Sequence, residues 1–251
     1  MPLPVASSLP MVFVHGWGQS RRAWYQQYDA FAGAHYLNLP GHGGAADADD
    51  WLDAVLAGLP DEPCLLVGWS LGGMWAMQLA AAYPARIAGL ALVGSTPKFV
   101  AGEDWSHAVG EQVLDGFRQA LAVQSDKLMG RFFAMMFSGD TVSREAYREI
   151  ARQAVNKQQP TSHAALVQGL QLLGSLDLRP VLEKLSMPIW LAHGRNDVIV
   201  PPEAMAYLAA VLPHATTTWF EDCGHAPMLT QSTRFNEQLE AWCRTISTRQ
   251  K

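Results

Sequence analysis

A chain of 251 residues, 49% hydrophobic and 16% charged, can bury one substantial core, and α/β domains of this size often remain undivided. The formal net charge of -5 excludes a global attraction to nucleic acid, so any polyanionic partner must meet a local basic patch. Cys64, Cys223 and Cys243 are odd in number and outside any CxxC or His-rich pattern, which argues against a disulfide framework or a metal site and fits a reducing compartment.

The first stretch, MPLPVASSLPMVFVHG, has no basic region, and prolines break its apolar runs. Neither a leader nor a membrane span is expected, and the protein is read as a cytoplasmic monomer. Strands are predicted at Met11 to His15, His35 to Leu39, Cys64 to Gly68, Ile87 to Val93, Ile189 to His193 and Thr216 to Phe220. Helices are predicted at Arg22 to Ala32, Asp50 to Leu59, Leu71 to Tyr83, Glu203 to Leu212 and Arg234 to Thr245. Short β-branched or leucine-rich runs alternating with helical patterns describe a parallel sheet covered on both faces.

From Pro97 to Gly174 the alternation stops, and GRFFAMMF and SREAYREIARQAV carry helical patterning only. The expected organisation is a core of residues 1–96 and 175–251 interrupted by a helical lid, 97–174. Phe132, Phe133, Met135, Met136 and Phe137 are able to roof an apolar pocket or to pack the lid on the core. Residues 127–157 carry six positive and three negative side chains, and Arg144, Arg148 and Arg152 recur every four residues as one helical stripe. That stripe suits an acidic protein or a phosphate, or a solvated face paired with Glu145 and Glu149.

Gly68-Trp69-Ser70-Leu71-Gly72 fits G-x-S-x-G between an apolar strand pattern and a helix pattern. In that context the serine occupies a strained strand-to-helix elbow with its Oγ lifted above the sheet. A glycine-rich turn with an N-capping serine would share the pentapeptide but would need no partners. A serine nucleophile needs a histidine base oriented by a buried carboxylate, in the chain order Ser, acid, His. His225, in EDCGHAPM between the last strand and the last helix, and Asp197, in HGRNDVIVP after a strand, meet that order. Asp177 reads as a helix cap, and Asp222 lies too near His225 in sequence. His15, His35, His42, His107, His163, His193 and His214 read as structural or solvated.

A tetrahedral oxyanion requires two donors: the elbow supplies the Leu71 N–H, and His15-Gly16-Trp17-Gly18 nominates the Trp17 N–H. No Walker loop, GxGxxG or HExxH is present, so no cofactor is expected.

HGWG, LPGHG, GWSLGG, STPKF with a nearby DW, SLDLRP, HGRND and GHAP together resemble the pimeloyl-acyl-carrier-protein methyl ester esterases of biotin synthesis, within the α/β-hydrolase superfamily. The resemblance implies an α/β-hydrolase fold with a mostly parallel sheet of about six strands. Only about ten residues precede the first parallel strand, so the fold's N-terminal hairpin is expected to be shortened or missing. It also implies Ser70, Asp197 and His225 as the triad, Trp17 and Leu71 as oxyanion donors, and Trp17, Trp69 and Phe132 as substrate-binding residues. Lys127, Arg131, Arg144 and Arg148 match the family's basic lid positions that contact acyl carrier protein, with Lys127 where arginine is expected. The implied partners are acyl carrier protein bearing a pimeloyl methyl ester and small esters. A broad short-acyl carboxylesterase and a non-catalytic ligand-binding relative are the alternatives.

Overall fold

The computed structural model describes residues 9–247. Six parallel strands form one sheet: β1 (Met11–Val14), β2 (His35–Leu37), β3 (Cys64–Trp69), β4 (Ile87–Val93), β5 (Ile189–Gly194) and β6 (Thr216–Phe220). Their order is β2-β1-β3-β4-β5-β6. Every residue of β1, β3 and β5 is buried, whereas the edge strands β2 and β6 show exposed positions, so the apolar runs are the sheet's interior. Residues 1–8, where a leading hairpin would fall, lie outside the described residues.

The order matters for function. The chain leaves β1 outward to β2, then returns across β1 to β3, so neighbouring strands carry their connections away in opposite directions. Ligand sites of open α/β sheets form outside the strand ends at such a switch point. Val14 is paired with Gly68 in register, which brings the loop after β1 beside the loop after β3. β4 and β5 then set the third and fourth places along the same edge, and β6 the last.

α1 (Trp51–Ala57) and α2 (Leu71–Ala82) pack together, with α2 against β1, β3 and β4. α2 is buried nearly all round, which its Gly72, Gly73, Ala76 and Ala80 permit by keeping the helix thin. α7 (Pro202–Val211) lies on β5, and α8 (Pro227–Thr230) packs on α9 (Ser232–Ser247). The predicted helix at Arg22 to Ala32 is instead a 3-10 segment, Arg21–Gln27, kinked at Trp24. It must seat fully buried Trp24 against Phe13 and Trp69 while the buried Gln27 amide donates to the Met228 carbonyl.

Between β4 and β5 lie α3 (Glu111–Val123), α4 (Ser125–Met135), α5 (Arg144–Ala154) and α6 (His163–Ser175). α3 packs on α4 and α6, and α5 on the Arg21–Gln27 turn. Arg22 Nε donates to the Gln153 carbonyl at 2.7 Å, tying the C-terminus of α5 to that turn. The two ends of the insertion meet, since Lys98 bridges Asp177 and Leu178 N–H donates to the Pro97 carbonyl at 2.8 Å. No helix among the described residues is long and apolar enough to cross a membrane.

Candidate active site

Ser70 sits between β3 and α2 with φ 56 and ψ -122, one of two non-glycine residues at positive φ among those described. Such a conformation costs on the order of 1–3 kcal/mol and persists only where the surroundings impose it. Here they do. Its N–H donates to Val93 O at 2.9 Å, and its carbonyl accepts from Ser95 Oγ at 2.8 Å and from Gly73 N–H at 2.9 Å. A Cβ on Gly72 would run into the carbonyls of Val14 and His15, so glycine there lets the start of α2 close on the end of β1.

Asp197 follows β5 and is 4% exposed. Its Oδ1 accepts from the N–H groups of Ile199 and Val200, both at 2.9 Å. Its Oδ2 accepts from His225 Nδ1 at 2.7 Å and faces His193 Nε2 at 3.1 Å. Burial alone would raise the pKa of this carboxyl, but the two imidazoles facing it outweigh burial and hold the group far below the usual carboxylate range. His225 donates through Nδ1, so Nε2 keeps the lone pair. That atom is buried and has no hydrogen-bond partner among the described residues. A nitrogen so placed is able to accept a proton.

Two loops hold His225. Its carbonyl accepts from Trp69 Nε1 at 3.0 Å, and its N–H donates to Met136 O, at the end of α4, at 2.8 Å. Asn196 extends the same clamp, with its side-chain amide donating to Gly139 O and its N–H to Cys223 O, both at 2.9 Å. The turn after α4 is therefore fastened to the segments carrying Asp197 and His225.

In the loop after β1, Gly18 N–H donates to His42 Nε2 at 3.1 Å, and Gln19 N–H to Gly16 O at 3.3 Å. The N–H groups of Trp17 and Leu71 have no acceptor among the described residues. His15 fixes the loop from beneath, with Nδ1 2.7 Å from Gly16 O and Nε2 accepting from Leu39 N–H at 3.1 Å. Burial, then the nearby His42, pushes His15 down to about 3, and burial pushes His42 down to about 4 against the opposing Pro40 bond and Asp47 charge. Both rings are neutral acceptors at neutral pH, so these two histidines shape the loop.

Ser70 opens onto a narrow apolar cavity, about 460 Å³ counting its open mouth. Trp17 and Phe132 stand in its wall with ring centroids 5.0 Å apart, joined by Phe117, Leu114 and Leu170 from α3 and α6. Val113, Met135 and Val198, all more than a third exposed, lie where it meets solvent. Of the other lid residues expected near a pocket, Phe133 and Phe137 pack on Tyr147, and Met136 is fully buried. Trp69 is absent from the wall. It is 1% exposed and acts on the His225 loop. Asp177 bonds Arg179, and Asp222 is exposed in the turn after β6, at φ 50, so neither reaches the site.

Lys127 and Arg131 on α4 and Arg144 and Arg148 on α5 are exposed and make no ion pair among the described residues, whereas Arg152 is paired with Glu149 at 2.6 Å.

Residues 10–232 match the model of the alpha/beta hydrolase fold family. The pimeloyl-[acyl-carrier protein] methyl ester esterase of Nitrosomonas europaea is 36% identical over 240 residues, covering 92% of this chain and 94% of the relative. The chain belongs to this esterase family of α/β hydrolases. The like-named protein of Stenotrophomonas maltophilia is 35% identical over 247 residues, 94% of this chain and 93% of the relative. Among solved structures, an esterase from Exiguobacterium antarcticum superposes with a TM-score of 0.83 at 19% identity, covering 94% of this chain and 92% of that one. A bromoperoxidase from Bacillus anthracis reaches 0.81 at 22% identity with the same coverage. At those identities the structures share the fold, and the family rests on the sequence relatives.

Proposed function

We propose that the protein is a serine carboxylesterase that removes the methyl ester from a pimeloyl chain carried by acyl carrier protein. The observation that carries the chemistry is the buried Asp197–His225 pair, which leaves Nε2 unpartnered, in a chain that also holds an elbow serine and two unclaimed backbone N–H groups. The substrate is supported by the relatives' names.

In this reading His225 Nε2 takes the Ser70 hydroxyl proton as Oγ attacks the terminal ester carbonyl. The oxyanion accepts from the Trp17 and Leu71 N–H groups at the positive end of α2. Collapse breaks the C–O bond to methanol, which receives the proton from His225 Nε2. A water molecule then gives a proton to His225 and adds to the acyl-enzyme carbonyl. Collapse breaks the acyl C–Oγ bond as His225 Nε2 returns its proton to Ser70 Oγ, and the pimeloyl acid left on its carrier ionises to solvent. The Asp197 carboxylate stays ionised throughout and supports the imidazolium.

Residues 97–174 form the lid, and α4 links its two tasks. Lys127, Arg131 and Met135 recur every four residues and are exposed, so a basic row leads along one helix face to the cavity mouth. One turn separates Arg131 from Met135, about 6 Å. An acidic carrier docked on Lys127, Arg131, Arg144 and Arg148 would deliver an acyl chain past Met135, with Phe132 and Trp17 against it. The deciding comparison is kcat/KM for pimeloyl-carrier methyl ester against free dimethyl pimelate. A strong preference for the carrier-linked ester is expected, and equal values would favour a generalist esterase.

A further inference from the structure

His193 is the last residue but one of β5, 1% exposed, and the mechanism above gives it no task. Its Nε2 lies 2.9 Å from the Val200 carbonyl and 3.1 Å from Asp197 Oδ2. An ionised carboxylate and a carbonyl only accept, so Nε2 carries the proton, which the ring donates to the Val200 carbonyl while presenting its positive N–H edge to Oδ2. Val200 is itself bound through its N–H to Asp197 Oδ1, so two hydrogen bonds link ring, turn and carboxylate, and the 3.1 Å contact brings the ring back to Oδ2. Oδ2 meanwhile accepts from His225 Nδ1 at 2.7 Å. One carboxylate oxygen thus serves two imidazoles.

We propose that His193 is a positioning residue for the esterase reaction, which by donating to the Val200 carbonyl and holding its Nε2–H 3.1 Å from Asp197 Oδ2 aims that oxygen at His225 and limits how strongly it holds the His225 imidazolium. The proposal rests on the triad assignment and adds a fourth member to it. Two consequences oppose each other. The linkage through Val200 fixes the carboxylate, which favours transfer. The facing N–H also withdraws charge from the oxygen that stabilises the imidazolium, which leaves His225 readier to release its proton to methanol.

The other groups that act on Asp197 come from neighbouring elements: Asp140 in the turn after α4, with its carboxyl raised by burial, and Cys223 in the loop after β6, with its thiol raised by burial. From β6 the uncharged Trp219 ring faces His193 at 6.1 Å. None of these changes in the variants below.

The test compares His193→Phe, which fills the space without a donor, with His193→Gln, whose amide N–H can reach where Nε2–H lies. Hydrolysis of p-nitrophenyl butyrate is followed against pH, and the downfield proton resonance of the His225–Asp197 hydrogen bond is recorded by NMR. In His193→Phe, kcat should fall about tenfold with KM unchanged within about twofold, as expected when a buried hydrogen bond and the N–H dipole facing a charge are both lost. The acid limb of kcat/KM should move up by about half a pH unit as Oδ2 recovers its charge. The resonance should shift, and His193→Gln should return all three readings toward wild type. A His193→Phe protein with acid limb and resonance at their wild-type positions would overturn the proposal, whatever its stability. A resonance that moves in a wild-type background hydrolysing no ester would leave the His193–Asp197 link standing and overturn the esterase reading instead.

Discussion

Trp69 Nε1 donates to the His225 carbonyl at 3.0 Å, so the residue immediately before the proposed nucleophile holds the loop of the proposed base. The two ring centroids are 5.4 Å apart. A substitution at Trp69 should therefore act on catalysis through His225 and leave acyl binding nearly untouched. Trp69→Phe keeps a ring and loses the donor, and steady-state kinetics should show kcat reduced about tenfold at an almost constant KM. A rise in KM alone would return Trp69 to the pocket wall.

His42 supplies the acceptor for Gly18 N–H next to the proposed oxyanion donor Trp17. His42→Leu strands that half-buried N–H, which costs about 1 kcal/mol. Thermal or urea unfolding should register a loss of that size. The rate should fall further than the stability alone explains, because the loop that aims the Trp17 N–H has lost its tie. An unchanged kcat in a stably folded His42→Leu protein would separate the loop from the chemistry.

His15 and His42 also make stability depend on pH. Both are held below their ordinary value of 6.5, His15 to about 3 and His42 to about 4. An unfolded chain therefore binds protons at these positions that the folded chain refuses. Their contribution is complete above about pH 6.5 and is lost as the pH falls toward those folded values, by up to about 3 kcal/mol per pH unit while both are refused. Unfolding at pH 5 should take up about two more protons than at pH 8, measurable as the pH slope of the urea midpoint. In His42→Leu the slope should fall by about one proton.

Charge reversal at Arg144 and Arg148 addresses the carrier. Both are exposed on α5 and lack ion-pair partners among the described residues. The double variant to glutamate should raise KM for the carrier-linked ester by about tenfold at low salt, with the difference shrinking as salt is added. Hydrolysis of p-nitrophenyl esters should be unaffected. Parallel losses on both substrates would place these arginines in folding and not in docking.

The sheet was legible because its interior strands are unbroken apolar runs, and the Asp197–His225 pair because both residues lie in loops that follow neighbouring strands, β5 and β6. Other features depended on geometry that pattern does not carry. His193 and His15 both end strands in an HG pair, yet His15 serves the loop after β1 and His193 touches Asp197. Trp69 shares the elbow motif with Ser70, but the strained turn at Ser70 sends the two side chains to different tasks. In RFFAMMF the helical period divides the cluster: Phe132 and Met135, three apart, share the cavity face, while Phe133 and Phe137, four apart, pack on Tyr147. The Arg22 to Ala32 pattern suggested a helix, and Trp24 required a kink.

The central claim is that Ser70 performs the hydrolysis, and intact-mass spectrometry of the carrier tests it most directly. Pimeloyl-carrier methyl ester incubated with wild-type protein should lose the mass of one methylene as ester becomes acid, and with Ser70→Ala it should keep its mass. Conversion by Ser70→Ala at the wild-type rate, or no conversion by the wild type, would contradict the account.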